Sequence, residues 1–79
     1  MKRFSPSERL ILLYLRIAHA EQHQGVTRRE IVEATGMGER SFERAWKRLL
    51  AENLVIVDHR LTEMGLAEAK ADMPVQVQE

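Results

Sequence analysis

Cysteine is absent from this sequence of 79 residues, and only two prolines and four aromatic side chains are present. Without cysteine the chain has no disulfide framework and no thiolate metal site, which fits a reducing cytoplasm. Long hydrophobic runs are also missing, because the longest, Leu10 to Leu15, is far shorter than the about 20 residues that cross a bilayer. No small-residue cleavage pattern follows this run, so we predict no signal peptide and a cytoplasmic location.

An excess of charge of one sign is missing as well. Twelve basic and twelve acidic residues cancel, so the total charge predicts no polyanionic partner. The acidic residues are concentrated toward the C-terminal end, since residues 61–79 sum to −3. The length allows one small domain, for which a single core is only just sufficient and a partner chain often helps. We assign that domain to residues 5–73 and expect residues 1–4 and 74–79 to be flexible ends.

The first helix has a complete start signal. Ser5 is placed as the N-cap, Pro6 at the first helical position and Glu8 three residues after the cap, which together form a capping box. These residues predict a helix over about 6–23 that ends near Gly25.

A second capping box opens the next helix. Thr27 and Glu30 have the same spacing as the first pair, and we predict a short helix that runs through Thr35. Gly36 is placed to end this helix in a left-handed conformation.

The third helix is predicted directly after a tight corner. Met37 is expected to fill the corner, Gly38 is an acceptable N-cap, and the helix is predicted over about 39–52, with Asn53 able to close it. Its apolar positions follow helical spacing: Phe42, Ala45, Trp46, Leu49 and Leu50.

After the third helix the sequence changes to a β-branched pattern. The stretch "LVIVDHRL" predicts two brief strands, and Asp58 with His59 forms the tight turn between them. Thr62 is placed to cap a last helix over about 63–72. The predicted class is therefore mainly α with a small β-hairpin.

This order of elements resembles the winged helix-turn-helix family of small prokaryotic regulators, in the style of the MarR-like proteins, over about residues 8–72. The resemblance rests on "VTRREIVEATGMGERSFERAWKRLLAENLVI", which is similar to a threonine-capped helix, an apolar corner and a basic recognition helix. It rests also on "RLTEMG", similar to the "LT-x-x-G" that opens the helix after the wing. The resemblance implies a three-helix core, a short wing and a C-terminal helix.

The same resemblance implies a function. It indicates sequence-specific binding of double-stranded DNA by a homodimeric transcription regulator, acting as a repressor, without cofactor or catalytic chemistry. The wing departs from the family pattern, because only two residues are predicted between its strands. We therefore expect at most a phosphate contact from His59 or Arg60 there.

A helical projection of the third helix separates an apolar side from a basic stripe. Arg40, Arg44, Lys47 and Ala51 lie at the centre of the side opposite Phe42. An exposed basic stripe is what a helix needs to enter a groove lined by phosphates. A solvated face paired with glutamates at helical spacing is the simpler alternative, but it accounts poorly for an unmixed stripe.

Particular contacts follow from this placement. Ser41, Glu43 and Arg44 are expected to reach base edges, where arginine can bond guanine and glutamate can accept from cytosine. Basic residues beside the stripe are expected to contact phosphates. The complete predicted DNA-binding set is Arg28, Arg29, Glu39, Arg40, Ser41, Glu43, Arg44, Lys47, Arg48, His59 and Arg60.

The first helix is apolar around its whole circumference between Leu10 and Leu15. A helix that is covered on one face only by a small domain should not have this pattern. We therefore expect a second contact surface, a two-fold homodimer. The predicted interface consists of Ile11, Leu12, Leu15, Leu66 and Ala69.

Other residue patterns in the sequence favour neither a metal site nor an enzyme. His19 and His23 are spaced so that they can share a metal, but they have no clear third ligand, so no metal is predicted. No catalytic triad or phosphate-binding glycine loop is visible, so no enzyme is predicted. Two alternatives stay open: a DNA-binding domain of a plasmid or phage replication protein, and a winged helix that binds proteins. The sequence does not identify an effector ligand.

Overall fold

The computed structural model describes residues 3–71, and the chain there forms four helices and one hairpin. The elements are α1 (Pro6–Ala20), α2 (Arg28–Thr35), α3 (Glu39–Ala51), β1 (Val55–Ile56), β2 (Arg60–Leu61) and α4 (Glu63–Ala71). This mainly helical layout with a two-stranded antiparallel hairpin confirms the predicted class and is compatible with a winged helix. Asp72 and the predicted flexible end 74–79 lie outside the described residues.

Both predicted capping boxes are present. The Ser5 hydroxyl accepts from the Glu8 N–H at 3.2 Å, and the Glu8 carboxylate accepts from the Ser5 N–H at 2.7 Å. Thr27 and Glu30 make the same reciprocal pair, at 3.1 and 3.4 Å. Each box satisfies two backbone donors that the helix itself leaves unpaired, which is why α1 and α2 begin where the sequence predicts.

The helix ends agree less uniformly with the prediction. Gly36 closes α2 with φ 71°, and its N–H donates to the Val32 carbonyl at 3.0 Å, as predicted. By contrast α1 ends at Ala20, three residues before the predicted end at 23. Gln22 has φ 57°, a left-handed conformation that stops the helix before Gly25 is reached.

Helix α1 lies at the centre of the molecule. It packs against α2, α3, α4 and β2, so its apolar side chains are covered from several directions. Ile11 and Leu12 are fully buried and Leu15 is 2% exposed. The predicted dimer interface is therefore wrong at these three positions, because the other elements of the same chain already cover them.

The remaining predicted interface residues lie on α4. Ala69 is buried in the same core and is also removed from the interface, whereas Leu66 is partly exposed. The exposed apolar side chains of α1 are instead Leu10 and Ile17.

The N-terminal segment is more ordered than predicted at Phe4. We expected residues 1–4 to be a flexible end, but the Phe4 side chain is buried in the hydrophobic core cluster. The guanidinium of Arg48 lies over its ring, 4.6 Å from the centroid, and covers it from α3. Residues 1 and 2 of that end lie outside the described part of the chain.

The hairpin loop has three residues rather than the predicted two. Val55 pairs with Leu61 and Ile56 with Arg60, which leaves 57–59 as the loop. The His59 N–H donates to the Ile56 carbonyl at 2.9 Å, and His59 has φ 61°. A turn followed by one left-handed residue is a common three-residue hairpin connection.

The start of α4 is fixed by Thr62 and by close packing. The Thr62 hydroxyl accepts from the Gly65 N–H at 2.9 Å and donates to the Asn53 carbonyl at 2.6 Å. A Cβ at Gly65 would lie 1.8 Å from the Leu54 carbonyl oxygen, so α4 approaches this backbone as closely as it does only because residue 65 is glycine. Within residues 3–71, none of the helices has the length and apolar character needed to traverse a bilayer.

Candidate nucleic-acid interface

Helix α3 is anchored to the core along one side. Phe42, Ala45 and Leu49 are buried, as predicted, while Trp46 and Leu50 are partly buried and pack against the core. The rings of Phe42 and Trp46 stack with centroids 5.5 Å apart. This anchoring fixes the rotation of α3 and therefore the direction in which its opposite side faces.

The opposite side of α3 presents the predicted basic stripe to solvent. Arg40, Arg44 and Lys47 are all exposed, and none of them makes an ion pair within residues 3–71. Ser41 is exposed beside them. Three cations at spacings of four and three residues thus occupy one face with their charges uncompensated by neighbouring side chains.

The acidic residues of α3 are held at the corner with α2. Arg28, the first residue of α2, uses Nη2 to contact Glu39 at 2.8 Å and also Glu43. Its guanidinium lies 5.6 Å from the centre of the Phe42 ring. The cluster joins α2 to α3, and the single positive charge of Arg28 offsets one of the two negative charges that flank the stripe. In this structure Arg28 contacts both Glu39 and Glu43, so the DNA contacts predicted for these three residues stay predictions that require exchange of partners.

Arg48 differs from its neighbours on α3, because it points toward the N-terminal end of α1. Its Nη1 lies 2.7 Å from Oε1 of Glu8, a carboxylate that is 6% exposed. The same oxygen accepts from the Ser5 N–H. The Arg48 side chain is 38% exposed, but its guanidinium is held by the buried Glu8 carboxylate and the Phe4 ring, so we remove Arg48 from the candidate interface.

Arg29 and Arg60 form only exposed ion pairs. Arg29 lies 3.4 Å from Glu33 one helical turn away, and Arg60 lies 3.8 Å from Asp58 across the hairpin loop. Exposed pairs of this kind contribute at most about 1 kcal/mol each. Both guanidinium groups can therefore exchange a carboxylate for a phosphate at little cost.

His59 connects the hairpin to α3. Its ring stacks on Trp46 with centroids 4.9 Å apart. Burial lowers the pKa of His59 below its ordinary value of 6.5, the charge of Arg28 adds to this effect, and Asp58 opposes it in part. His59 is consequently neutral at pH 7, so the phosphate contact predicted for it is limited to a hydrogen bond without a full charge.

A partly exposed polar network joins α1 to α2, and the sequence contained only one hint of it. The Tyr14 hydroxyl and the His23 ring both contact Oε2 of Glu30, each at 2.5 Å. The carboxylate raises the pKa of Tyr14 to about 12, chiefly through this hydrogen bond. The capping box marked Glu30 as important for α2, but nothing in the sequence indicated that Tyr14 of α1 would share it.

The two histidines that were considered for a metal have other roles. His23 bonds Glu30, and His19 is exposed near the end of α1. In the part of the chain that the structure describes, no three histidine, aspartate or glutamate side chains converge as a set of metal ligands.

Comparisons with known protein families, with curated proteins and with solved structures gave no match. The function proposed below therefore rests on the geometry of the residues that the structure describes.

Proposed function

We propose that this chain binds double-stranded DNA as a winged helix-turn-helix regulator, with α3 in the major groove. The observation that carries the proposal is the exposed stripe of Arg40, Arg44 and Lys47, whose charges are not compensated within residues 3–71. Duplex DNA is the polyanion whose groove admits one helix with such a stripe.

The cluster at the corner supports the same proposal. Arg28 holds Glu39 and Glu43 at the start of α3, so its charge offsets half of the negative charge that would repel phosphates there. A net-neutral chain thus presents one positive surface. We assign base contacts to Arg40, Ser41 and Arg44 and phosphate contacts to other cations: Lys47, Arg29 and Arg60.

The proposed regulator acts as a homodimer and a repressor. Two recognition helices about 34 Å apart read two half-sites on one side of the duplex. Leu10 and Ile17 lie seven residues apart on α1, within about 20° of each other around the helix, and both are exposed. This pair of apolar side chains replaces the buried residues as the proposed contact surface.

Titration of selected DNA tests the proposal. Duplexes are first selected from a random pool, and binding of the cognate and a scrambled duplex is then measured by fluorescence anisotropy at two salt concentrations. We expect Arg44→Ala to weaken cognate binding by about 1–3 kcal/mol and to relax preference at one base pair. Lys47→Ala should weaken both duplexes alike and reduce the salt slope by about 1.

The matched control is Arg16→Ala, which removes an arginine from α1 outside the proposed interface. It should leave binding to both duplexes unchanged. Failure of the wild-type chain to enrich any duplex would contradict DNA binding and favour the protein-binding alternative, whereas equal losses for Arg44→Ala on both duplexes would contradict base reading by Arg44.

A further inference from the structure

A groove of about 550 Å³ lies on the molecule between the C-terminal end of α1, the segment 21–26 and the hairpin. Small-molecule sites in proteins span about 300–1,000 Å³. The groove therefore has the size of a small-molecule site. The proposed contacts of α3 with DNA do not need a cavity.

Histidine and arginine side chains supply much of the polar lining of the groove. All three histidines of the chain, His19, His23 and His59, line it together with Arg60. None of the described residues that line the groove carries a carboxylate. Histidine and arginine nitrogens are donors to anions, so this lining is complementary to negative charge.

The neutral polar residues Gln22, Gln24 and Thr62 also line the groove, and the rest of the lining is apolar. Leu15 and Ala18 of α1 contribute buried surface, Val26 adds to it from the loop, and Ile56 and Leu61 add to it from the hairpin. Apolar surface beside a few polar groups is the usual composition of a site for an organic molecule rather than for an inorganic ion.

Two carboxylates border the groove without lining it. Oε2 of Glu30 lies 2.5 Å from His23 Nε2, and Asp58 lies 3.8 Å from Arg60. The Arg60 pair is exposed on both sides, so it is weak and a bound anion can replace it. Among the histidine and arginine side chains of the lining, Arg60 and His19 are thus the most open to a ligand, because His23 contacts Glu30 and His59 stacks on Trp46.

We propose that this groove binds a small amphipathic organic anion, a carboxylate on an apolar body. Arg60 and His19 bind the carboxylate, and Leu15, Val26 and Leu61 contact the apolar body. A free inorganic anion uses only the first set of contacts and a neutral apolar molecule only the second, so both bind more weakly than the amphipathic anion.

Octanoate is a suitable probe, with octanol, octylammonium and acetate as matched controls that change the head group or remove the body. Two readouts exist in the chain itself. Three histidines give three ring Cε1–H signals in NMR spectra, which single substitutions assign. Trp46, the one tryptophan of the sequence, stacks on His59, so its fluorescence reports on the groove.

We expect saturable shifts of the His19 and His59 signals with octanoate, together with a change in Trp46 fluorescence. Octylammonium and acetate should give no saturable shift at the same concentrations. Binding of octanol as tight as that of octanoate would overturn the charge assignment, and the absence of any saturable shift with octanoate would overturn the site.

A pair of variants tests the residue assignment. Arg60→Gln should weaken octanoate binding by about tenfold, the loss of roughly one charged hydrogen bond. The side chain of Arg60 is exposed, so the variant should fold as the wild type does. Arg16→Gln removes the same charge from α1 outside the groove and should leave the affinity unchanged.

Equal affinity of Arg60→Gln and the wild type would remove Arg60 from the site. Because no DNA is used, the result does not depend on the proposed function.

Discussion

Arg44 and Arg48 stand one helical turn apart on α3 and have different surroundings. Arg44 is exposed in the basic stripe, whereas Arg48 bonds a buried carboxylate and lies over the Phe4 ring. Both arginines looked equivalent in the sequence, because a helical projection shows which side a residue lies on but not which partner from a distant segment reaches it. Glu8 is 40 positions from Arg48 in the chain.

The difference predicts the effect of Arg48→Met. Methionine keeps apolar contact with Phe4 but leaves the Glu8 carboxylate without its guanidinium, so the free energy of unfolding should fall by about 2 kcal/mol. DNA affinity should not change once the variant is folded. Urea denaturation and anisotropy titration measure the two quantities.

Glu8→Gln on the Arg48→Met background is the control. Glutamine still serves in a capping box, and no charge then remains buried, so part of the lost stability should return. A selective loss of DNA affinity in Arg48→Met without a loss of stability would restore the phosphate contact that the structure removes.

Tyr14 gives a pH-dependent prediction. Its hydrogen bond to Glu30 raises the pKa of the phenol from 10.0 to about 12. Between these values the folded chain keeps a proton that the unfolded chain has lost, so the free energy of unfolding should fall as the pH rises from 10.0 to about 12. Tyrosinate absorbance of this single tyrosine follows the titration.

In Glu30→Gln the tyrosinate midpoint should move back toward 10.0, because the carboxylate that holds the proton is gone. Circular dichroism checks that the chain is folded during both titrations. A midpoint near 10.0 in the folded wild type would contradict the hydrogen bond.

At the scale of elements, the starts of helices were predicted more accurately than the end of α1 and the length of the hairpin loop. Capping boxes are local, so Ser5 with Glu8 and Thr27 with Glu30 located two helices from sequence alone. Gly36 was equally local. The end of α1, which depends on the left-handed Gln22, and the loop at 57–59, which depends on the strand register, were each misplaced.

The packing of α4 predicts that replacing Gly65 by alanine destabilises the protein, the opposite of the usual effect in a helix. Alanine usually stabilises a helix relative to glycine by about 1 kcal/mol. At Gly65 the added Cβ would lie 1.8 Å from the Leu54 carbonyl oxygen, so α4 must shift. Gly65→Ala should therefore reduce the free energy of unfolding, by about 2 kcal/mol.

Gly38→Ala is the matched control for this measurement. An added Cβ at Gly38 meets nothing within 4 Å, and φ is −73°. Its effect in urea denaturation should stay within about 1 kcal/mol, the range for an N-cap change. A Gly65→Ala chain that is more stable than the wild type would show that α4 does not approach Leu54 this closely.

At the scale of the whole molecule, the sequence left the assembly surface undetermined. The first helix is apolar around its whole circumference, and we interpreted this as more apolar surface than one small domain can cover. A helix at the centre of a domain needs the same pattern, because it contacts neighbouring elements of its own chain on several sides. Periodicity does not distinguish these cases, because both require apolar side chains in every direction.

Two substitutions on α1 now separate core from surface. Ile17→Glu should leave a folded chain that no longer dimerises, since Ile17 is 47% exposed. Leu12→Glu should unfold the chain, because it places a charge without a partner in the core. Sedimentation and circular dichroism give the two readouts. A wild-type chain that sediments as a monomer at micromolar concentration would rule out the homodimer.

The central position of α1 also determines how the molecule can come apart. Helix α1 packs against α2, α3, α4 and β2. The same few buried side chains of α1 therefore contribute to the hydrophobic contacts of each of these elements. Within residues 3–71 α1 shares contacts with most of the other elements, so we expect these elements to unfold as one cooperative unit rather than as separable subdomains. An intact α1 is thus a precondition for presenting either the basic stripe or the groove.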